Sequence, residues 1–162
     1  MGRVTIKCRC KKEWTDIRRV YLSGAMSYYF NNEEYNKAID WRIISEKHLY
    51  GHGFRVFNPT SYYSFSDKKH TKKSEIMRFE LFCQLAKCDV VLVNLDDIDK
   101  SIGTSDEILY AYLNNIPVIG YTEKNDVKWL HPWKYEQCMR IETGKDSLEN
   151  SLDYICMYLG ED

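Results

Sequence analysis

Nowhere does the chain carry an apolar run near the ~18 residues that a membrane span needs, and its opening segment, Met1 to Lys7, has no apolar stretch of the kind a secretion signal uses. A soluble, cytoplasmic protein without a membrane partner is the expectation. An excess of one charge is lacking too. Against 23 Lys and Arg stand 24 Asp and Glu, a formal net charge of −1, which excludes the broad cationic surface of a nonspecific nucleic-acid binder. No P-loop, Gly-x-Gly-x-x-Gly, His-Glu-x-x-His or Gly-x-Ser-x-Gly occurs, so NTPase, dinucleotide, zinc-protease and serine-hydrolase chemistry lack their required parts. Internal repeats and low-complexity tracts are also missing.

Tight cysteine pairs are absent although cysteine is not. The six are Cys8, Cys10, Cys83, Cys88, Cys138 and Cys156, with no Cys-x2-Cys among them, and they read as reduced structural residues. His48 and His52 are four apart, but Gly51 and Gly53 put them at a fraying helix end without the Glu of a zinc-binding helix motif. Neither a metal nor a cofactor is expected. What the chain does have is aromatic surface: 14% of its 162 residues, 13 of them Tyr and four Trp, enough to fill a core or to stack flat ligands.

The length suits one domain, with residues 1–18 as an N-terminal extension. Arg19 to Gly24 reads as a buried strand ending in a glycine turn. Asn31 to Glu34 offers cap chemistry for a helix that runs to Leu49 and stops at Gly51 to Gly53. Phe54 to Phe57 is a second strand, cut by Pro59. The loop from Asn58 to Lys73 is long enough to be functional. Ser74 can cap the next helix, and Asp89 to Leu95 has the β-branched density of a central parallel strand. A helix near Ser105 to Asn114, a strand at Ile116 to Gly120, a strand at Met139 to Glu142 and a helix from Ser147 to Leu159 complete the order. Alternating strands and helices give an α/β fold, a flavodoxin-like three-layer sandwich with a five-stranded parallel sheet and room for an extra N-terminal strand from Val4 to Cys8. Ligands of such sheets bind beyond the carboxyl ends of the strands. The candidate site therefore lies on the loops at Ser23 to Phe30, Asn58 to Lys73 and Asp96 to Thr104.

On the last of these loops, Ser101 to Glu107 is a glycine-bearing turn feeding a helix N-terminus, a place that favours an ionised carboxylate. Glu107 then reads in two ways. It is a shielded nucleophilic carboxylate, or it is the reciprocal partner in a capping box begun by Thr104. Glu80, on the preceding helix, is a second acid for the same cleft or a solvated helix residue beside Arg78. Tyr21 ends the first strand, as a core aromatic or as a phenol holding the second oxygen of Glu107. Tyr62, Tyr63 and Phe65 offer faces for a planar base, and Lys68, Lys69, Lys72 and Lys73 a local cation for a phosphate or a solvated run.

Five segments together resemble the nucleoside 2-deoxyribosyltransferase family: Val20 to Ala25, Asn58-Pro59, Met77 to Leu81, Cys88 to Asn94, and Ser101-Ile-Gly-Thr-x-x-Glu107. The likeness runs from about Val20 to Gly120. It implies a flavodoxin-like fold and double displacement at C1′ of a 2′-deoxynucleoside. On this resemblance Glu107 is the nucleophile and Tyr21 the residue that orients it. Glu80 stands near a family aspartate that handles the base proton, although Glu is longer by a methylene. Gly24, Met26, Asn58, Tyr62, Asn94, Ser101 and Gly103 fall on the substrate-binding loops.

Ser101 departs from the transferases, several of which carry an Asp there for the sugar 5′-hydroxyl. The related nucleoside 5′-monophosphate N-glycosidases carry Ser, and a hydroxyl at a helix N-terminus accepts a phosphate that a carboxylate would repel. An arginine that several of those hydrolases have in the first loop is missing from Ser23 to Phe30. The expected partners are nucleosides or nucleotides, free nucleobases and a second copy of the chain in a homodimer or larger oligomer, with no nucleic-acid polymer. A nucleotide-binding or sensing module that kept the pocket without turnover is the rival reading.

Overall fold

A computed structural model describes residues 17–61 and 72–160. The strands are β1 (Arg19–Ser23), β2 (Arg55–Phe57), β3 (Val90–Asn94), β4 (Val118–Thr122) and β5 (Arg140–Thr143). They pair in the order β2-β1-β3-β4-β5, every neighbour parallel. This is the expected sheet. The expected N-terminal strand from Val4 to Cys8 lies outside the described residues.

Alternation along the strands sorts side chains into two cores. Val20 and Leu22 of β1, Val90 and Leu92 of β3 and Ile119 and Tyr121 of β4 meet helices α2 (Tyr35–Gly51) and α6 (Ser147–Leu159) through Trp41, Leu49, Leu152 and Ile155. On the opposite face Tyr21, Val91, Val93 and Val118 pack with Ile108 and Ala111 of α4 (Ile102–Leu113). Burial of both faces explains why β3 is apolar almost throughout.

Several boundaries differ from the sequence expectation, each for a local reason. The first loop contains a short helix, α1 (Ser27–Asn31), too brief to show a helical period. It is pinned by buried Tyr29, whose hydroxyl donates to Asp97 Oδ2 at 2.6 Å. The next helix starts only at Tyr35, and Glu34 precedes it without a side-chain cap bond. Pro117 has no N–H, so the β4 ladder opens at Val118, two residues later than expected, while the Pro117 carbonyl accepts from Val91 N at 2.9 Å. Helix α3 (Lys73–Arg78) begins one residue before its expected Ser74 cap and continues as a π turn, Phe79–Gln84, and a 3-10 turn, Leu85–Lys87. Helix α5 (Pro132–Gln137) was not anticipated; Pro132 occupies its first turn, and the His131 ring accepts from Trp133 N at 3.3 Å.

Candidate active site

The C-terminal ends of β1 and β3 are adjacent, and the chain leaves them toward opposite faces of the sheet, which makes this the topological switch point. Tyr21 and Ser23 are two apart on β1 and share the face toward α4. Tyr21 Oη donates to Glu107 Oε1 at 2.7 Å, and Ser23 Oγ donates to Glu107 Oε2. Both carboxylate oxygens are thereby held, and Glu107 is only 7% exposed.

The capping box suggested by Thr104 and Glu107 does not form. Ser101 is the N-cap: its Oγ accepts from Thr104 N at 3.3 Å and lies 2.8 Å from Thr104 Oγ1. The helix therefore begins at Ile102 rather than near Ser105. Glu107 falls in its second turn, on the inner stripe with Thr104, Ile108 and Ala111, and points at the sheet instead of back at the cap.

Arg42 is the second charged group of the site and sits on the buried stripe of α2 with Ala38, Ser45 and Leu49. It is fully buried. One guanidinium nitrogen, Nη1, donates to the Ala38 carbonyl and the other, Nη2, to the Gly24 carbonyl at 2.9 Å, while the group lies 4.4 Å from the Trp41 ring centroid. Gly24 itself is tightly enclosed by Trp41 and Asn94. A Cβ there would stand 2.9 Å from Trp41 Cζ2 and 3.2 Å from Asn94 Cβ, so only a bare backbone fits between α2 and β3.

Burial pushes the Glu107 carboxyl above its ordinary value of 4.5, against the hydrogen bonds from Ser23 and Tyr21 and the charge of Arg42, which favour the ionised form. Burial likewise lowers Arg42 to about 10, and Glu107 is the largest influence opposing that fall. The two charges stabilise each other through space. A carboxylate oriented by two hydroxyls and backed by a buried cation can attack an electron-poor carbon or stabilise a cationic one.

The other residues expected at the site are distributed as follows. Glu80 is half-buried in the π turn, and its charge is felt at Arg42. π turns inside helices are frequent at functional sites. Met26 precedes α1, and its carbonyl accepts from Phe30 N at 2.9 Å. Asn58 is buried and shapes its own turn, with Oδ1 accepting from Thr60 N at 3.0 Å and Thr60 Oγ1 at 2.7 Å. Asn94 Oδ1 likewise accepts from Asp96 N at 2.9 Å. Gly103 is exposed in the first turn of α4. Tyr62, with Tyr63, Phe65, Lys68 and Lys69, lies outside the described residues.

Beside Gly24, on the α2 side of the sheet, opens a cavity of about 580 Å³ whose lining includes Tyr29, Trp41, Asn94, Asp97, Tyr121 and Lys124. The Asp96 side chain fixes its floor, accepting from Thr122 Oγ1 at 2.6 Å and from Glu123 N at 3.1 Å.

Ser23 and Arg42 were missed from the sequence. Strand alternation from Tyr21 points to Ser23, and the spacing of Ala38, Arg42, Ser45 and Leu49 places an arginine where a helix buries its side chains.

No family model and no curated protein sequence matches the chain. Solved structures do. A 2-deoxyribosyltransferase from Bacillus psychrosaccharolyticus superposes with a TM-score of 0.63 at 16% identity, over 87% of this chain and 95% of that one. A conserved protein from Enterococcus faecalis gives 0.57 at 14% identity, over 88% and 99%. A CMP N-glycosidase from Clostridium botulinum gives 0.55 at 16% identity, over 87% and 99%. At these identities the likeness shows a shared fold.

Proposed function

We propose that the chain is a nucleoside 2-deoxyribosyltransferase-like enzyme that cleaves the N-glycosidic bond of 2′-deoxynucleosides with Glu107 as nucleophile. The observation that carries the reading is the buried Glu107 carboxylate with one oxygen on Tyr21 and the other on Ser23. Glu107 attacks C1′ as the C1′–N bond breaks, and the base leaves with a proton supplied by an acid, for which Glu80 is the candidate. The resulting deoxyribosyl ester is then attacked by a nitrogen of a second base, whose proton passes to the deprotonated acid as the C1′–O bond to Glu107 breaks and the carboxylate is restored. The fold shared with a 2-deoxyribosyltransferase supports the reading. So does the resemblance of Ser101 to Glu107, and exposed Trp133 and Tyr158 supply apolar surface for the homo-oligomer included in it.

A second reading replaces the acceptor base by water and the nucleoside by its 5′-monophosphate. It is favoured by Ser101, an uncharged hydroxyl at the start of a 12-residue helix. One assay separates the two: deoxynucleosides and deoxynucleotides incubated with and without adenine, then chromatographed. Exchanged nucleoside identifies the transferase, and free base from the monophosphate without exchange identifies the hydrolase. If neither product forms, both readings fail and a binding module remains.

The raised Glu107 carboxyl sets the direction of the pH dependence. Attack needs the ionised form, so kcat/KM falls as pH drops through a value above 4.5, the ordinary Glu figure. Tyr21→Phe removes a donor to the ionised form and moves this acid limb further up. A limb at or below 4.5 in the unaltered enzyme would count against Glu107 as the titrating nucleophile.

A further inference from the structure

At the opposite end of the strands, where α2 ends and the chain turns into β2, a second cluster lies outside the site described above. One ring nitrogen each of His48 and His52 and the Cys156 sulfur lie within 4.8 Å of one another. His48 and His52 are four apart at the end of α2, and Asp153 and Cys156 three apart on α6, so each pair occupies one helix face. His48 Nε2 is buried, makes no hydrogen bond, and has Asp153 Oδ1 3.4 Å away. His52 Nδ1 lies 2.9 Å from the His48 carbonyl, which can only accept, so Nδ1 carries the proton and Nε2 the lone pair. A backbone carbonyl orienting a ring in this way is the usual outer partner of a metal-bound histidine.

We propose that His48, His52, Asp153 and Cys156 form a structural site for a zinc-class divalent ion that staples α2 to α6. Two neutral imidazoles, one thiolate and one carboxylate carry two negative charges and neutralise a divalent cation, and their mixed softness suits zinc or cobalt over calcium or magnesium. Tetrahedral bonds of normal length put ligand atoms about 3.3 to 3.6 Å apart. The His48–Asp153 spacing already meets this; the His48, His52 and Cys156 atoms, within 4.8 Å of one another, must close by about an ångström, and the exposed Asp153 carboxylate must rotate in from α6 to complete the set. On binding, the Cys156 thiol releases its proton to solvent as the sulfur–metal bond forms. Four protein ligands leave no open position, and the catalytic edge of the sheet lies at the other end of the strands, so the ion takes no part in the chemistry at Glu107. In the sequence these histidines stand at a fraying helix end with no sign of a site, because their partners are about 100 residues away on α6.

The test is titration of the metal-free protein with Co²⁺, with and without competing Zn²⁺. A thiolate-to-cobalt charge-transfer band saturating at one equivalent is expected, displaced by Zn²⁺. It should be lost in Cys156→Ser, weakened at least about tenfold in affinity by His52→Gln, an exposed position that leaves folding alone, and unchanged in Cys8→Ser/Cys10→Ser. Zn²⁺ at a hundredfold excess over its Kd should raise Tm by about 5 to 10 °C. Absence of a band in the unaltered protein overturns the proposal, as does a band that survives Cys156→Ser or is indifferent to His52→Gln.

Discussion

Glu107→Gln is expected to lower kcat by about 10⁴-fold or more, with the fold intact. Gln has nearly the shape of Glu, and the hydroxyls of Tyr21 and Ser23 can each accept as well as donate, so both contacts survive the exchange. What is lost is the electron pair that bonds to C1′. A carboxamide is a poor nucleophile, and no burial or hydrogen bond recovers it. The side chain also acts at a fixed place: it is buried in the second turn of α4 and held by two groups from β1. Glu107→Asp, which withdraws the carboxylate by a methylene from both donors, should therefore also be severely impaired. The measurement pairs single-turnover chromatography with mass spectrometry of the quenched enzyme. The unaltered protein should carry a deoxyribosyl group on the peptide containing Glu107, and Glu107→Gln should carry none. Retention of a tenth or more of the activity by Glu107→Gln would remove Glu107 from the nucleophilic role.

The sheet was legible because parallel strands buried on both faces leave an unmistakable pattern. The run at Val90 to Val93 and the turn glycine after β1 mark the central strands, whereas the apolar residues of α2 mislead, since Ile43 and Ile44 are exposed and Arg42 and Ser45 are buried. Short elements were not legible. Helix α1 owes its existence to Tyr29 reaching Asp97, a contact 68 residues away, and local propensity carries no trace of that. The Thr104 capping box was a false signal of the same kind. The helix is capped three residues earlier, by Ser101, which leaves Thr104 inside the helix and Glu107 buried in its second turn. For the site, the residues that touch were partly visible as Tyr21 and Glu107. Arg42 was not, because a charged residue in an apolar stripe reads as an interruption until the carbonyls of Gly24 and Ala38 are seen to receive it.

Arg42→Met is expected to destabilise the fold by about 3 to 5 kcal/mol, the scale seen when one member of a buried charge pair is removed. The Gly24 carbonyl loses its buried donor, and Glu107 loses a cation that favours its ionised form. Arg42→Lys should fall between, since it keeps the charge but cannot span the Gly24 and Ala38 carbonyls with a planar fork. Without the cation, the Glu107 carboxyl rises further, and the acid limb of kcat/KM in Arg42→Met should move up with it. Stability and charge coupling can be separated by a double-mutant cycle with Glu107→Gln, read by urea unfolding. If the two charges stabilise each other, Arg42→Met should cost less in the Glu107→Gln background, because no uncompensated carboxylate is left buried. Strict additivity of the two substitutions would mean that Arg42 serves only to tie α2 to the end of β1, with no electrostatic hold on Glu107.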